Sequence, residues 1–410
     1  MNRQILNRGL AAALLLLVAV AGWGGYTFFI RPLFLPSFFH YAVADQAVVP
    51  DEGPPVPVKP PITHLSTPSA VRAIYMTSWV AGTPRVRERL VTLIDETELN
   101  SVVIDIKDYT GRIAFLTGDP TLDGSGAVEK RIADIEDFIR RLHAKNIYVI
   151  GRVSVFQDSY FVGQHPELAV HRSSDPSRRS VAEVDGGVWK DRKGISWLEV
   201  GATPVWNYIV QIARAAHAVG FDEINFDYIR FPSDGDMKDI SYKYFDPARE
   251  TRAAVLKRFY AHLSQELSPL RIPLSVDLFG LTTTSLDDLG IGQVLLDAAP
   301  YFDYIAPMVY PSHFATGFLG FSKPATKPYE VVNYAMTEAS KRLLTASSTP
   351  VRHLVGSNQL RPWLQDFDLG ADYTAAMVRA QIQATYDAGL TSWMLWSPSN
   401  HYTREALRNN

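Results

Sequence analysis

The chain has 410 residues, 47% of them hydrophobic, a net charge of −3 and no cysteine. Without cysteine there are no disulfides, thiolate metal sites or thiol redox centres. The near-neutral balance and the lack of a basic stripe argue against a nucleic-acid partner. The length suits one large domain or two ordinary ones.

At the N-terminus, Arg3 and Arg8 precede an uncharged apolar run over 9–30, and Arg31 follows it. About 20 apolar residues span a bilayer as a helix. The run is longer than the apolar region of a cleavable signal peptide, and no clear small-residue cleavage site follows it. The expectation is an uncleaved membrane anchor over 1–31, with Arg3 and Arg8 inside; secretion after cleavage is the alternative. Residues 32–69 read as a linker, dense in proline from 45 to 69 and therefore extended and semi-rigid. Residues 70–410 read as the domain held beyond the membrane, in the extracytoplasmic cell envelope.

Within that domain, short apolar stretches alternate with helical patterns. The predicted strands are 71–79, 101–109, 146–156, 221–231, 272–280, 302–310, 352–360 and 390–398. Thr83-Pro84 and Thr203-Pro204 each open a helix, with proline at its first position. Apolar spacing of three and four predicts helices over 128–145, 246–267, 285–299, 327–344 and 371–389, and a short helix near 402–408 closes the chain. Strict alternation implies a parallel sheet. Eight units imply an α/β protein, a (β/α)8 TIM barrel preceded by an N-terminal transmembrane helix and a Pro-rich linker. No G-x-G-x-x-G follows the first strand, which argues against an open dinucleotide-binding sheet.

Active sites of such barrels lie at the C-terminal ends of the strands. Side chains alternate along a strand, so Asn225 and Asp227 share the inward face of strand 4, while Ile224 and Phe226 face the helices. The same reasoning turns Asp277 of strand 5 inward. Two carboxylates at neighbouring strand ends suit glycosidic bond cleavage: one attacks the anomeric carbon, the other protonates the leaving oxygen. A separation of roughly 5–5.5 Å would go with retention of configuration and roughly 6.5–9.5 Å with inversion. The structural alternative is that Asp227 pairs with Arg152 or Lys107 as a bridge inside the barrel. Lys107 and Asp108 at strand 2, Arg152 at strand 3, Tyr310 and His313 after strand 6, and Trp396 at strand 8 complete the candidate substrate-binding set with Asn225. Lys107 is placed on the face of Asp105. Eleven aromatic residues are expected near the rim, with only a minority touching substrate. The insertion over about 158–202 exceeds ordinary loop length and reads as a lid or cleft wall. There is no H-E-x-x-H, no G-x-S-x-G and no P-loop, and no metal site or cofactor is expected.

Five ordered motifs carry a resemblance: VVIDIKDYTGRI, VIGRVSVFQD, GFDEINFDYIRFP, LSVDLFG and DYIAPMVYPSHF. Together they resemble a bacterial family of glycoside-hydrolase-like domains, long catalogued as a domain of unknown function and distantly similar to α-amylase-like (β/α)8 glycosidases. The resemblance spans about 70–400. It implies Asp227 as nucleophile and Asp277 in the place of an acid/base glutamate. Asn225 stands where the α-amylase-like pattern has an arginine, and Asp366 or Asp368 are candidates for a third acid after strand 7. The expected function is cleavage of an extracytoplasmic polysaccharide or oligosaccharide. A barrel of the cell envelope that binds carbohydrate without cleaving it, kept open by the missing arginine, is the alternative. A metal-dependent barrel hydrolase is a second alternative, disfavoured by the scattered histidines.

Overall fold

The computed structural model describes residues 61–173, 187–345 and 357–410. The expected anchor over 1–31 and residues 32–60 of the expected linker lie outside these residues. No helix among the described residues is long and apolar enough to cross a membrane.

Eight parallel strands close into a barrel in sequence order. They are β1 (Arg72–Met76), β2 (Ser101–Lys107), β3 (Tyr148–Ser154), β4 (Glu223–Asp227), β5 (Leu274–Phe279), β6 (Tyr304–Met308), β7 (Trp363–Gln365) and β8 (Trp393–Trp396). The main helix after each of the first seven strands is α1 (Pro84–Glu96), α2 (Ile135–His143), α3 (Thr203–Ala218), α4 (Arg252–Leu267), α5 (Leu295–Ala298), α6 (Pro328–Thr345) and α7 (Ala375–Asp387). The apolar shell between strands and helices includes Ile104, Val153, Ile224, Phe226, Val276 and Leu278. A second apolar cluster fills the barrel itself: Val103, Tyr148, Ile150, Ala306, Trp363 and Met394.

Three elements depart from the sequence expectation. The helix expected over 128–145 begins only at Ile135, because residues 127–132 pair with 113–114: Ile113 N donates to Ala127 O and Ile132 N to Ala114 O. The helix expected over 285–299 shrinks to the single turn α5. The side chains of Asp287 and Asp288 capture the amides of Leu289 and Gly290, and Leu289, Gly290 and Gly292 adopt positive φ. Short aspartates that bond their own backbone compete with a helix in this way. Strand 7 lies at Trp363–Gln365 rather than 352–360: residues 357–359 form a 3-10 turn, and Leu360 makes only an isolated bridge to Ile305.

The N-terminal end of the barrel is closed by a polar floor. Glu223 accepts two bonds from Arg361 Nη1, at 3.1 and 2.8 Å, and one from the Tyr148 hydroxyl at 3.1 Å. The segment entering β1 crosses beneath it. Thr67 Oγ1 hydrogen-bonds with Tyr148 Oη at 3.0 Å, and Leu65 N donates to Asp222 at 2.7 Å. Both members of the Arg361–Glu223 pair are buried, so removing one strands an uncompensated charge. Arg361→Leu is expected to destabilise the chain by about 3–5 kcal/mol. Glu223→Met/Arg361→Met should recover most of that loss, both read from urea unfolding midpoints.

Candidate active site

The polar row at the mouth of the barrel is built from β2 to β5. Register pairs Asp105 of β2 with Arg152 of β3, Arg152 with Asn225 of β4, and Asn225 with Ser275 of β5. Above this row, Asp227 ends β4 and Asp277 sits within β5. Arg152 is the connector. Its Nη1 donates to Asp105 at 2.7 Å, while Nε and Nη2 both donate to Asp227 Oδ2, at 3.1 and 2.5 Å. Asp227 Oδ1 accepts from the amide of Tyr228 at 2.6 Å. Tyr228 holds φ +50°, a left-handed conformation that is uncommon for a large residue. It ends the strand directly after the carboxylate.

Asp277 has a different environment. Its Oδ1 accepts from Asn225 Nδ2 at 2.9 Å and from the Trp363 indole at 2.8 Å. Burial is the largest influence on it, and with the negative charge of Asp227 it pushes the carboxyl well above the usual range; Arg152 and the two donors oppose this. With both N–H donors on Oδ1, the proton of the neutral acid belongs on Oδ2. Asp105 is also raised, chiefly by burial, and receives the Tyr75 hydroxyl at 2.6 Å.

Two adjoining cavities open here. One, of about 550 Å³, is bordered by Asp227, Asp277, Tyr310 and His313. The other, of about 530 Å³, is bordered by Tyr75, Trp79, Asp105 and Asp108. Arg152, Tyr228, Trp396 and Lys193 border both. Trp396 stacks on Tyr75 with ring centroids 4.1 Å apart, and the Arg152 guanidinium lies 5.2 Å from the Trp396 ring. Tyr310 is buried, which raises its phenol well above the ordinary value. His313 meets it edge-on at 5.3 Å and is lowered by burial.

The structure thus brings Asp227, Asp277, Arg152, Tyr310, His313 and Trp396 to one cavity wall. Asn225 lies beneath them and acts on Asp277. Asp108 borders the second cavity, with its carboxylate held by Arg131 and Thr110. Lys107 is a correction. The β2 register shifts between Asp105 and Lys107, so the two do not share a face. The Lys107 ammonium is fully buried and donates to Asp158 at 2.7 Å, and it borders neither cavity. Asp366 and Asp368 also border neither cavity: Asp366 accepts from the amide and hydroxyl of Thr403, and Asp368 from the amide of Tyr373. The insertion contributes Lys193 and Ile195 to the walls; residues 174–186 within it lie outside the described set.

Sequence reasoning missed Tyr75 and Arg230 as residues of the mouth and left Asp105 out of the substrate-binding set; Trp363, expected among the rim aromatics, meets Asp277. Tyr75 and Asp105 stand on the inward face of their strands, and that alternation was the available signal. Arg230 lies beyond the end of β4, where no alternation applies. Among the described residues no group of three or more His, Asp or Glu is placed to hold a metal ion.

Comparison with known proteins follows the same lines. No curated protein matches the chain. The PgaB (BpsB) glycoside hydrolase domain from Bordetella bronchiseptica is 13% identical over 82% of this chain and 97% of its own, with a TM-score of 0.56. That likeness shows the fold. A hypothetical protein from Ruminiclostridium thermocellum ATCC 27405 is 30% identical over 53% of this chain and 98% of its own, with a TM-score of 0.43. An α-galactosidase from Thermus thermophilus is 13% identical over 84% of this chain and 61% of its own, with a TM-score of 0.46. A family model described as "Putative glycosyl hydrolase domain" matches residues 73–402. That match spans most of the chain, which therefore belongs to this family of glycosyl hydrolase domains.

Proposed function

We propose that the chain hydrolyses glycosidic bonds of an extracytoplasmic polysaccharide, with Asp277 as general acid and Asp227 as nucleophile, or as general base if the reaction inverts. One observation carries this reading: two carboxylates border one cavity in opposed environments. Asp227 meets a guanidinium, whereas Asp277 meets only neutral donors and is driven toward its protonated form. Carboxyl groups whose surroundings separate their acidities divide the acid and base roles between them.

In the proposed reaction, Asp277 passes its proton to the glycosidic oxygen as that bond breaks. Asp227 attacks the anomeric carbon or activates a water against it. Negative charge then appears on Asp277 in a buried site. The Arg152 charge already acts on that carboxyl and stabilises it there. Arg152 also supplies, from β3, the guanidinium that the α-amylase-like pattern carries on strand 4 in the place of Asn225. This bears on the non-cleaving alternative, since the absence of that arginine was its main support. Trp396, Tyr310 and His313 offer flat faces and hydrogen-bonding edges to sugar rings, and Asp108 offers a carboxylate at the second cavity. The apolar run within 1–31 and the proline-dense linker over 32–69 support an anchored, extracytoplasmic placement.

The test is release of reducing ends from cell-envelope and exopolysaccharides by the full chain. Asp277→Asn is expected to lower kcat by about 10²–10⁴-fold, and Asp227→Asn to leave no measurable release. Wild-type rates in both variants would sink the assignment. A second expectation concerns pH. The raised pKa of Asp277 means the folded chain keeps a proton that the unfolded chain releases above about pH 4. Its stabilising contribution is complete below that pH and is lost as pH rises toward the folded-state value. Asp277→Asn mimics the protonated acid. It should match wild-type stability near pH 4 and exceed it increasingly above, by at most about 1.4 kcal/mol per pH unit. Urea midpoints of the two proteins at several pH values read this directly.

A further inference from the structure

Four arginines of the described residues are buried: Arg87, Arg152, Arg230 and Arg361. Three of them bond carboxylates. Arg87 reaches Asp134 at 2.5 Å, Arg152 reaches Asp105 and Asp227, and Arg361 reaches Glu223 at 2.8 Å. Arg230 differs. It is 7% exposed, and its Nη1 donates only to Phe231 O and Ser233 Oγ, both at 3.0 Å. Among the described residues no carboxylate forms an ion pair with it; Asp227, Asp234 and Asp191 influence it only from further away.

Burying an unpaired charge is costly, and burial weakens the hold of Arg230 on its proton. Aromatic rings offset part of that cost. Trp197 and Phe279 lie 4.8 and 4.7 Å from the guanidinium, and Tyr228 lies 5.5 Å away. Rings satisfy the faces of a guanidinium but not its N–H edge. Nε and Nη2 make no hydrogen bond with the described residues, and together they form a two-pronged donor edge. Arg230 borders the same cavity as Asp227 and Asp277, and Lys193 is a second cation on that wall.

We infer that Arg230 is an anion-recognising subsite, and that the polysaccharide bound beside Asp227 and Asp277 carries an acidic substituent, a carboxylate or a sulfate ester. This deepens the glycosidase reading and rests on it for the identity of the ligand as a glycan. The planar fork of an arginine matches the two oxygens of either group. A neutral sugar would leave the edge without a counter-charge.

The test is calorimetric binding to the full chain at low salt. The probes are an oligoglucuronate, its carboxyl-reduced neutral form, and a sulfated derivative of that neutral form. At least one acidic form is expected to bind about ten- to a hundredfold more tightly than the neutral one. Preference for the uronate would assign a carboxylate, and preference for the sulfated form a sulfate ester. Arg230→Gln should remove the preference, read as the ratio of acidic to neutral binding within each protein. Arg230→Lys keeps the charge without the fork and should retain only part of it. The wild type alone provides a further check independent of variant folding: the preference should shrink as salt is raised. Equal binding of all three probes, absence of acidic binding, or an undiminished preference in Arg230→Gln would overturn the inference. The glycosidase reading is separated by reducing-end release. Release from neutral glycans, lost in Asp227→Asn, with no acidic preference, would remove the subsite and keep the enzyme. Arg230-dependent acidic binding without release from any glycan would do the reverse.

Discussion

Arg152 enters the barrel from β3 and is held there by carboxylates from the strands on either side. A guanidinium with 5% exposure is stable only if its charge and its donors are met. Asp105 and Asp227 meet them, and the three groups lock β2, β3 and β4 in one register at the level of the mouth. Most features of the site follow from this contact. It aims the Asp227 carboxylate, tempers the burial of Asp277, and sets a cation beside Trp396 and Tyr75. The structural reading of Asp227 as a bridge and the chemical reading of it as a reacting group are therefore compatible: the bridge holds the group in the cavity wall.

Asp277 is governed by the opposite circumstance. Among the described residues no arginine bonds it. An amide and an indole N–H meet one oxygen, and the low-dielectric surroundings favour the neutral acid. Asn225 is central to that difference. An arginine in its place would bring a second full charge to the row already occupied by Arg152. With asparagine there, charge is concentrated on the β2–β4 side of the mouth and the β5 side stays neutral. The proposed division of labour between the two acids thus depends on which strand supplies the guanidinium.

Much of the architecture was legible from pattern, and the failures have identifiable causes. The eight-unit alternation was visible because buried strands and amphipathic helices leave different apolar periods. The inward placement of Asn225, Asp227 and Asp277 was legible because polar side chains alternate with apolar ones along their strands. Lys107 was misplaced because counting by twos fails at an irregularity in register, and nothing in IDIKD announces one. The helix over 285–299 had the right apolar spacing, but aspartate turns and left-handed residues around Leu289 override it. Strand 7 is three residues long, too short to leave any period.

By itself the sequence determined the class of fold and the two carboxylates at neighbouring strand ends, because both follow from local rules: periodicity within an element and alternation along a strand. Only the tertiary structure decided how those carboxylates differ, that Arg152 rather than Lys107 meets Asp227, and that Arg230 joins the cavity wall with no carboxylate bonded to it among the described residues. These depend on groups 47 to 86 residues apart in the chain, as in the Arg152–Asp105 and Trp363–Asp277 contacts. The acidity and charge of a buried side chain are set by what surrounds it in space, and no local pattern in the chain encodes that surrounding.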